Sequence, residues 1–176
     1  ALDLISQAEH SSDTFCYLIT NSEKIAKLVN QKISKLLPTI QRKELVKSSL
    51  SKNGFIAVCK NNSDMVNLAN SLAPEHLQIM TKNPKSISSK ITTSGLVLLG
   101  NYSPSSASDY ILGSNHILPT NGFGKIRGSL SVMDFIKINT EVTASKSSLS
   151  KISKHLDTLT TAEGLPNHYE AVRGRL

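Results

Sequence analysis

The chain is 176 residues long, 39% hydrophobic and 19% charged, with aromatics at only 5% and no Trp. This suits one folded domain with an aliphatic core and an appended arm, and no apolar run approaches the roughly 18 residues that a membrane span needs. The net charge of +7 comes from sixteen lysines spread along the chain and only four arginines. With no stripe of interleaved basic and aromatic residues, it reads as a solvated surface and argues against nucleic acid as a partner.

The N-terminal Ala1-Leu2-Asp3-Leu4-Ile5 lacks the basic region and cleavage site of a signal peptide. It reads as the interior of a helix running to His10, so an upstream part of the protein is expected. Ser11-Ser12-Asp13 breaks this helix, and Phe15-Cys16-Tyr17-Leu18-Ile19 is a buried strand. Asn21-Ser22 starts the next helix, with Ile25, Leu28, Val29, Ile33, Leu36 and Leu37 at helical spacing and an end at Pro38. A further helix covers roughly residues 41–50. Asn53-Gly54 turns into the strand Phe55-Ile56-Ala57-Val58-Cys59. Asn62-Ser63-Asp64 caps a helix carrying Met65, Val66, Leu68 and Ala69, which stops before Pro74. A short helix after Asn83-Pro84 leads to the strand Leu96-Val97-Leu98-Leu99. Such alternation predicts an α/β fold, a parallel sheet with helices on both faces. Cys16 and Cys59, each in an apolar strand, read as buried free thiols in a reducing compartment, which points to the cytoplasm.

Residues 101–128 are rich in Ser, Gly, Pro and Asn and show little periodicity. A loop of about 25 residues is usually functional or disordered. Its apolar punctuation by Tyr110, Ile111, Leu112, Ile117 and Leu118 predicts order. Beyond Ser131 come a short helix, a strand around residues 138–142, and helices near 149–163 and 166–175. With no sheet of their own, these form an arm. The expected division is an α/β domain over residues 1–130 and a mainly helical arm over 131–176.

Four of the five histidines sit in short polar motifs: Gln7-Ala8-Glu9-His10, Pro74-Glu75-His76, Asp109 with His116, and Glu163-Gly164-Leu165-Pro166-Asn167-His168. Imidazole with carboxylate or amide oxygen suits zinc and similar ions, and no cysteine lies near, so a catalytic centre is favoured over a closed cysteine cage. Gln7 and His10, three apart on a helix, share a face and could share a metal; a solvated helix face is the plainer alternative. Glu75 and His76 are an adjacent acid and imidazole after a helix end, able to act as base and acid on one substrate. Asp109 and His116 are seven apart in a loop dense with turn residues, which favours function. Glu163 and His168 flank a Gly-Leu-Pro break, where a cap plus a surface histidine is the alternative. His155 has no motif around it and is taken as structural. Gly122-Phe123-Gly124-Lys125-Ile126-Arg127-Gly128 misses the dinucleotide fingerprint by one residue of spacing and lacks a preceding strand, so it reads as a turn.

Taken in order, these motifs resemble the C-terminal part of histidinol dehydrogenase. The likeness rests on Asp3-Leu4-Ile5-Ser6-Gln7-Ala8-Glu9-His10, Ala73-Pro74-Glu75-His76-Leu77, Asp109-Tyr110, Gly113-Ser114-Asn115-His116-Ile117-Leu118-Pro119-Thr120, Leu130-Ser131-Val132-Met133-Asp134-Phe135, and Ala162-Glu163-Gly164-Leu165 with His168. The family oxidises L-histidinol to L-histidine with two NAD molecules in succession, through a bound aldehyde. The resemblance implies Gln7, His10, Asp109 and His168 as zinc ligands that also contact substrate, and Glu75 and His76 as the catalytic pair. It implies further substrate contacts from His76, His116 and Glu163. It implies a pair of incomplete Rossmann-like domains, of which this chain holds most of one. It also implies a homodimer in which the arm, with Glu163 and His168, completes the partner's site. The principal NAD-contacting residues would lie upstream of Ala1. Ser108 departs from the family, which usually has Gly before Asp-Tyr, and residues 122–128 also drift from its pattern. Two alternatives stay open from the sequence: a non-catalytic zinc-binding or dimerising module, and a zinc-dependent hydrolase with Glu75 as base.

Overall fold

In the computed structural model, which describes every residue from Ala1 to Leu176, the chain divides into two units, Ala1–Asp134 and Phe135–Leu176. The first is a mixed α/β unit. Its strands are short and all parallel: β1 (Tyr17–Thr20) pairs with β2 (Phe55–Val58), and β3 (His76–Ile79) pairs with β4 (Leu96–Leu99). Parallel neighbours need a crossover. Helices α2 (Glu23–Leu36) and α3 (Lys43–Asn53) lie in the connection from β1 to β2, and α5 (Pro84–Ser88) in that from β3 to β4. Helix α4 (Asn62–Leu72) joins β2 to β3.

Two expectations about the sheet need correction. The strands form two separate two-stranded sheets, not one. Helices do not cover both faces of β2, where Phe55, Ile56 and Val58 are 39%, 36% and 49% exposed. Apolar composition marks a segment as a strand, but its partner and its cover are decided by other elements. The Pro-Glu-His motif is expected at the junction of a helix end with the next strand, and β3 is that strand, although its residues do not stand out in the sequence. His76-Leu77-Gln78-Ile79 alternates polar and apolar residues over only four positions, too short a signal to stand out beside the Pro-Glu-His motif.

Helix starts follow the capping chemistry. Ser22 caps α2 by accepting from the Ile25 amide, and Asn83 caps α5 by accepting from Ser86, with Pro84 in its first turn. Asn61, one residue before the expected start, caps α4 through a 2.9 Å bond from the Asp64 amide. Helix α4 ends at Ala73, whose φ of +48° is left-handed. Pro74 disfavours the right-handed helical conformation for the residue before it, so the chain leaves the helix there and enters Glu75 and β3. No helix is long and apolar enough to cross a membrane.

The main core forms where α1 (Leu2–Ala8) meets α3. Ile5, Ala8, Cys16 and Val46 are buried together, with Leu4, Ile33, Leu36, Leu37, Ile40 and Leu50 packed around them. Ser49 on α3 is fully buried and donates its hydroxyl to the Thr14 carbonyl at 2.9 Å. Helix α3 thereby holds both α1 and the segment that follows it. Both cysteines are free; Cys16 is buried, where desolvation pushes its thiol up to about 11, but Cys59 is only half-buried, not buried as expected.

Residues 101–128 are ordered by local contacts rather than by strands. They hold the short helix α6 (Ser105–Ser108) and a 3-10 turn at Phe123–Lys125. Ser114 donates to the Ser108 carbonyl at 2.9 Å, and Asn115 to that of Leu130 at 2.8 Å. The glycine-rich stretch is a turn, as expected: Gly122 has φ +80°, and a Cβ on Gly124 would overlap the carbonyl oxygen of Thr93.

The second unit is helical. Helix α7 (Lys146–Ala162), capped by Ser145, packs on α8 (Pro166–Arg173), and Ser153 and Tyr169 share a hydroxyl hydrogen bond of 3.2 Å. The strand expected around residues 138–142 is absent; that stretch has no regular structure, with Ile138 80% and Val142 87% exposed. A lone β-branched segment has no neighbour here to satisfy its backbone, so its propensity is not expressed.

Val46 has no solvent exposure and lies at the centre of the main core. Val46→Ala is expected to destabilise the chain by roughly 2 kcal/mol, through lost burial plus the cavity left behind. Urea unfolding monitored by circular dichroism measures this, and an unchanged midpoint would contradict the placement of the core.

Candidate functional site

One pocket of the first unit is lined by Gln7, His10, Thr14, Glu75, His76, Asp109, Tyr110 and His116. Three stretches of chain supply these side chains. The end of α1 and the turn after it give Gln7, His10 and Thr14. The exit from α4 into β3 gives Glu75 and His76. The end of α6 and its following loop give Asp109, Tyr110 and His116.

His10 is oriented by its own turn. Its Nδ1 lies 3.1 Å from the Gln7 carbonyl oxygen. A carbonyl only accepts, so Nδ1 carries a proton, and in the neutral ring Nε2 keeps its lone pair. A hydrogen bond of this kind sets the tautomer of metal-binding histidines. Gln7 is held from the other side: its Nε2 donates to Ser105 Oγ at 2.9 Å.

His76 and Asp109 form the closest pair in the pocket. Nε2 of His76 is 3.0 Å from Oδ1 of Asp109, with side chains only 14% and 15% exposed. The carboxylate accepts, so in the neutral ring Nε2 is protonated and Nδ1 is the basic nitrogen. Strand pairing fixes His76, which stands opposite Leu96 at the start of β3. Asp109 caps the end of α6, where its amide donates to the Ser105 carbonyl at 3.2 Å.

Glu75 sits at the foot of β3, and the Leu96 amide donates to its carbonyl at 2.8 Å. Burial pushes its carboxyl above the usual glutamate range, and Asp109 adds to this, while His76 and His10 pull the other way. The group is therefore a stronger base than a surface glutamate.

His116 is exposed at the rim. Its loop is anchored on both sides. Asn115 Oδ1 accepts from the Ile117 amide at 3.0 Å, and Pro119 is buried against Gly95, where any Cβ would press into the proline ring and the Glu75 carbonyl. The departure at Ser108 is absorbed without backbone strain: the residue ends α6, is fully buried, and donates its hydroxyl to the Ser105 carbonyl at 2.6 Å.

Six of the eight residues singled out in the sequence thus share this pocket: Gln7, His10, Glu75, His76, Asp109 and His116. The other two, Glu163 and His168, are exposed residues of the second unit; Glu163 ends α7 and His168 lies in α8. Within one chain, no three His, Cys, Asp or Glu side chains converge closely enough to hold a metal ion. The oxygen and nitrogen donors of Gln7, His10 and Asp109 are nonetheless of the kind zinc takes, and the free Nε2 of His10 suits that role. Thr14, Ser105 and Tyr110 were not picked out as site residues. Thr14 lies in a plain helix-to-strand connection, and Ser105 in the serine-rich run Ser103-Pro104-Ser105-Ser106-Ala107-Ser108, where one serine looks like the next. Tyr110 stands beside Asp109 in the loop motif, and that adjacency was the only available signal.

The family model described as histidinol dehydrogenase matches residues 1–176. The chain is 41% identical over 175 residues to the histidinol dehydrogenase of Oceanobacillus iheyensis, covering 99% of this chain and 41% of that protein. To that of Methanopyrus kandleri it is 40% identical over 176 residues, covering 99% and 41%. Among solved structures, histidinol dehydrogenase from Elizabethkingia anophelis superposes with a TM-score of 0.90 at 34% identity, over 99% of this chain and 40% of that one. The chain spans about two fifths of the length of these relatives. With the whole chain matched by the family model and by enzymes of that name, the chain belongs to the histidinol dehydrogenase family.

Proposed function

We propose that this chain forms the zinc- and substrate-binding part of an NAD-dependent enzyme that oxidises L-histidinol to L-histidine, the last step of histidine biosynthesis. The observation that carries the reading is the meeting of Gln7, His10, Glu75, His76, Asp109 and His116 in one pocket from three stretches of chain. Family membership supplies the reaction class. In the same reading the parallel strand pairs belong to a Rossmann-like domain, and the helical unit is a dimerisation arm that brings Glu163 and His168 to a second copy.

Gln7, His10 and Asp109, with His168 from the second copy, would hold zinc, which supplies a Lewis-acidic centre for the substrate's amine and imidazole. Zinc has no redox chemistry, so hydride needs an organic acceptor, which is NAD in this reading, contacted mainly by residues upstream of Ala1. His76, held through Nε2 by Asp109, takes the hydroxyl proton on Nδ1 as hydride leaves. Glu75, its carboxyl pushed up by burial, removes a proton from the water that hydrates the aldehyde. His76 returns its proton to the aldehyde oxygen as the hydrate forms, so Nδ1 is free to take a hydroxyl proton again in the second oxidation. His116 and Glu163 contact the substrate, and the carboxylates of the site suit a cationic amino alcohol despite the basic surface. The hydrolase alternative would use the same donors and Glu75 but no nucleotide, so ester or amide cleavage without NAD would favour it.

Calorimetric titration of L-histidinol into the chain, with zinc and after chelation, is expected to show binding only with zinc. Binding that survives chelation, or none in either state, would count against the metal site as assigned. Steady NADH production is not expected from this chain by itself, and its appearance would place the NAD contacts within residues 1–176.

In an enzyme complete in its NAD-contacting residues, Glu75→Gln is expected to slow aldehyde oxidation about 100- to 10,000-fold, the usual contribution of a general base. Histidinol binding should change little. Glu75 must be ionised to act, and its proton is held more tightly than in an ordinary glutamate. The acid limb of the aldehyde-oxidation pH profile should therefore lie above the usual glutamate range and vanish in the variant. A limb at the ordinary position, or one that persists in Glu75→Gln, would remove Glu75 from this role.

A further inference from the structure

We infer that Ser105 is a positioning residue that holds the Gln7 side chain at the pocket, with Nε2 on its hydroxyl and Oε1 left for a cation; this rests on the reading of Gln7 as a metal ligand. Four observations support it. Ser105 is 4% exposed, and its Oγ accepts from Gln7 Nε2 at 2.9 Å across 98 residues of sequence. Gln7 itself lines the pocket. The Ser105 carbonyl accepts from the Ser108 hydroxyl at 2.6 Å and from the Asp109 amide at 3.2 Å. Ser108 is in turn fully buried.

A glutamine side chain is two-ended. Its oxygen can donate an electron pair to a cation, while its NH2 group has no lone pair to offer and presents hydrogens instead. The two ends have nearly the same shape, so packing alone does not choose between them. A serine hydroxyl both donates and accepts, so it anchors whichever end of the amide it meets; with Nε2 on Ser105 Oγ, Oε1 is the end left for a cation, and the cation's own need for an electron pair secures that orientation. The same residue holds Asp109 by its main chain, since the carbonyl of Ser105 takes the amide of Asp109 at the end of α6. One buried serine thus links two of the expected donors, Gln7 from α1 and Asp109 from α6. The Ser108 hydroxyl, present where the family usually has Gly, adds a second bond to that carbonyl and braces the turn.

Outer partners of metal ligands typically change affinity 10- to 100-fold when removed. Zinc affinity of the full chain, measured by competition with a chromogenic chelator, is the test, with Ser105→Ala, Ser105→Thr, Gln7→Ala and the double variant of Ser105→Ala with Gln7→Ala. Ser105→Ala is expected to weaken zinc binding about 10- to 100-fold. Ser105→Thr, which keeps Oγ, should recover most of the affinity. In the Gln7→Ala background, Ser105→Ala should have little further effect, because the group it orients is gone. A loss of the same size in both backgrounds would show that Ser105 acts through folding and would overturn the inference. So would unchanged affinity in Ser105→Ala when Gln7→Ala is weakened. If Gln7→Ala binds zinc as well as the unaltered chain, the assignment of Gln7 as a ligand fails, and the role of Ser105 falls with it.

Discussion

The close packing of α1 is the constraint on which the site depends. Ala8 has no solvent exposure, and its small side chain lets α1 approach both α3 and α6. Gln7 and His10 flank that buried alanine, so the contact that builds the core also fixes where two of the expected donors stand. Interiors are close-packed, and a larger side chain at position 8 would have to move one of these helices. The hydroxyl of Ser49 on the Thr14 carbonyl extends the same hold past the end of α1.

The other side of the pocket is fixed by backbone rather than by packing. Ala73 adopts a left-handed conformation, Pro74 prevents a return to helix, and strand pairing of β3 with β4 sets His76 opposite Leu96. A non-glycine residue with positive φ carries strain of about 1 kcal/mol or more. Here it stands two residues before the Glu75-His76 pair, at the abrupt turn that brings both to the pocket. Gly95 permits Pro119 to lie against the Glu75 backbone, so the loop carrying His116 is seated where the chain passes from Glu75 into the strand that starts at His76.

Electrostatics in the pocket follows from this arrangement. Three groups able to carry positive or negative charge surround Glu75, yet desolvation is the largest influence on it, and its carboxyl titrates above the usual range. His76 and Asp109 satisfy each other in partial burial, which avoids leaving a lone carboxylate there. The tautomers of both pocket histidines that carry a resolved hydrogen bond are set by acceptors: the Gln7 carbonyl for His10 and the Asp109 carboxylate for His76. One ring keeps Nε2 open and the other Nδ1, which suits a ligand in the first case and a base in the second.

The local elements were legible in the sequence because they depend on neighbours in the chain. The spacing of Ile25, Leu28, Val29 and Ile33 makes α2 amphipathic, and Ser22 and Asn83 mark helix starts through their own side chains, while the cap of α4 stands at Asn61, one residue before the expected Asn62. The motif residues Gln7, His10, Glu75, His76, Asp109 and His116 could be named for the same reason: each stands in a short run of unusual polar chemistry. Pairing was not legible. The sequence of Phe55-Ile56-Ala57-Val58 shows a strand but not that its outer residues stay exposed, and the run over residues 138–142 has β propensity but no partner to express it. Nor could the sequence single out Ser105 from its neighbouring serines, since its importance lies in a contact with a residue 98 positions away. By itself the sequence determined the longer helices, their starts to within about a residue, and the chemistry on offer, because these are short-range. Only the tertiary structure decided which of those groups meet, because that depends on how α1 packs and where β3 pairs.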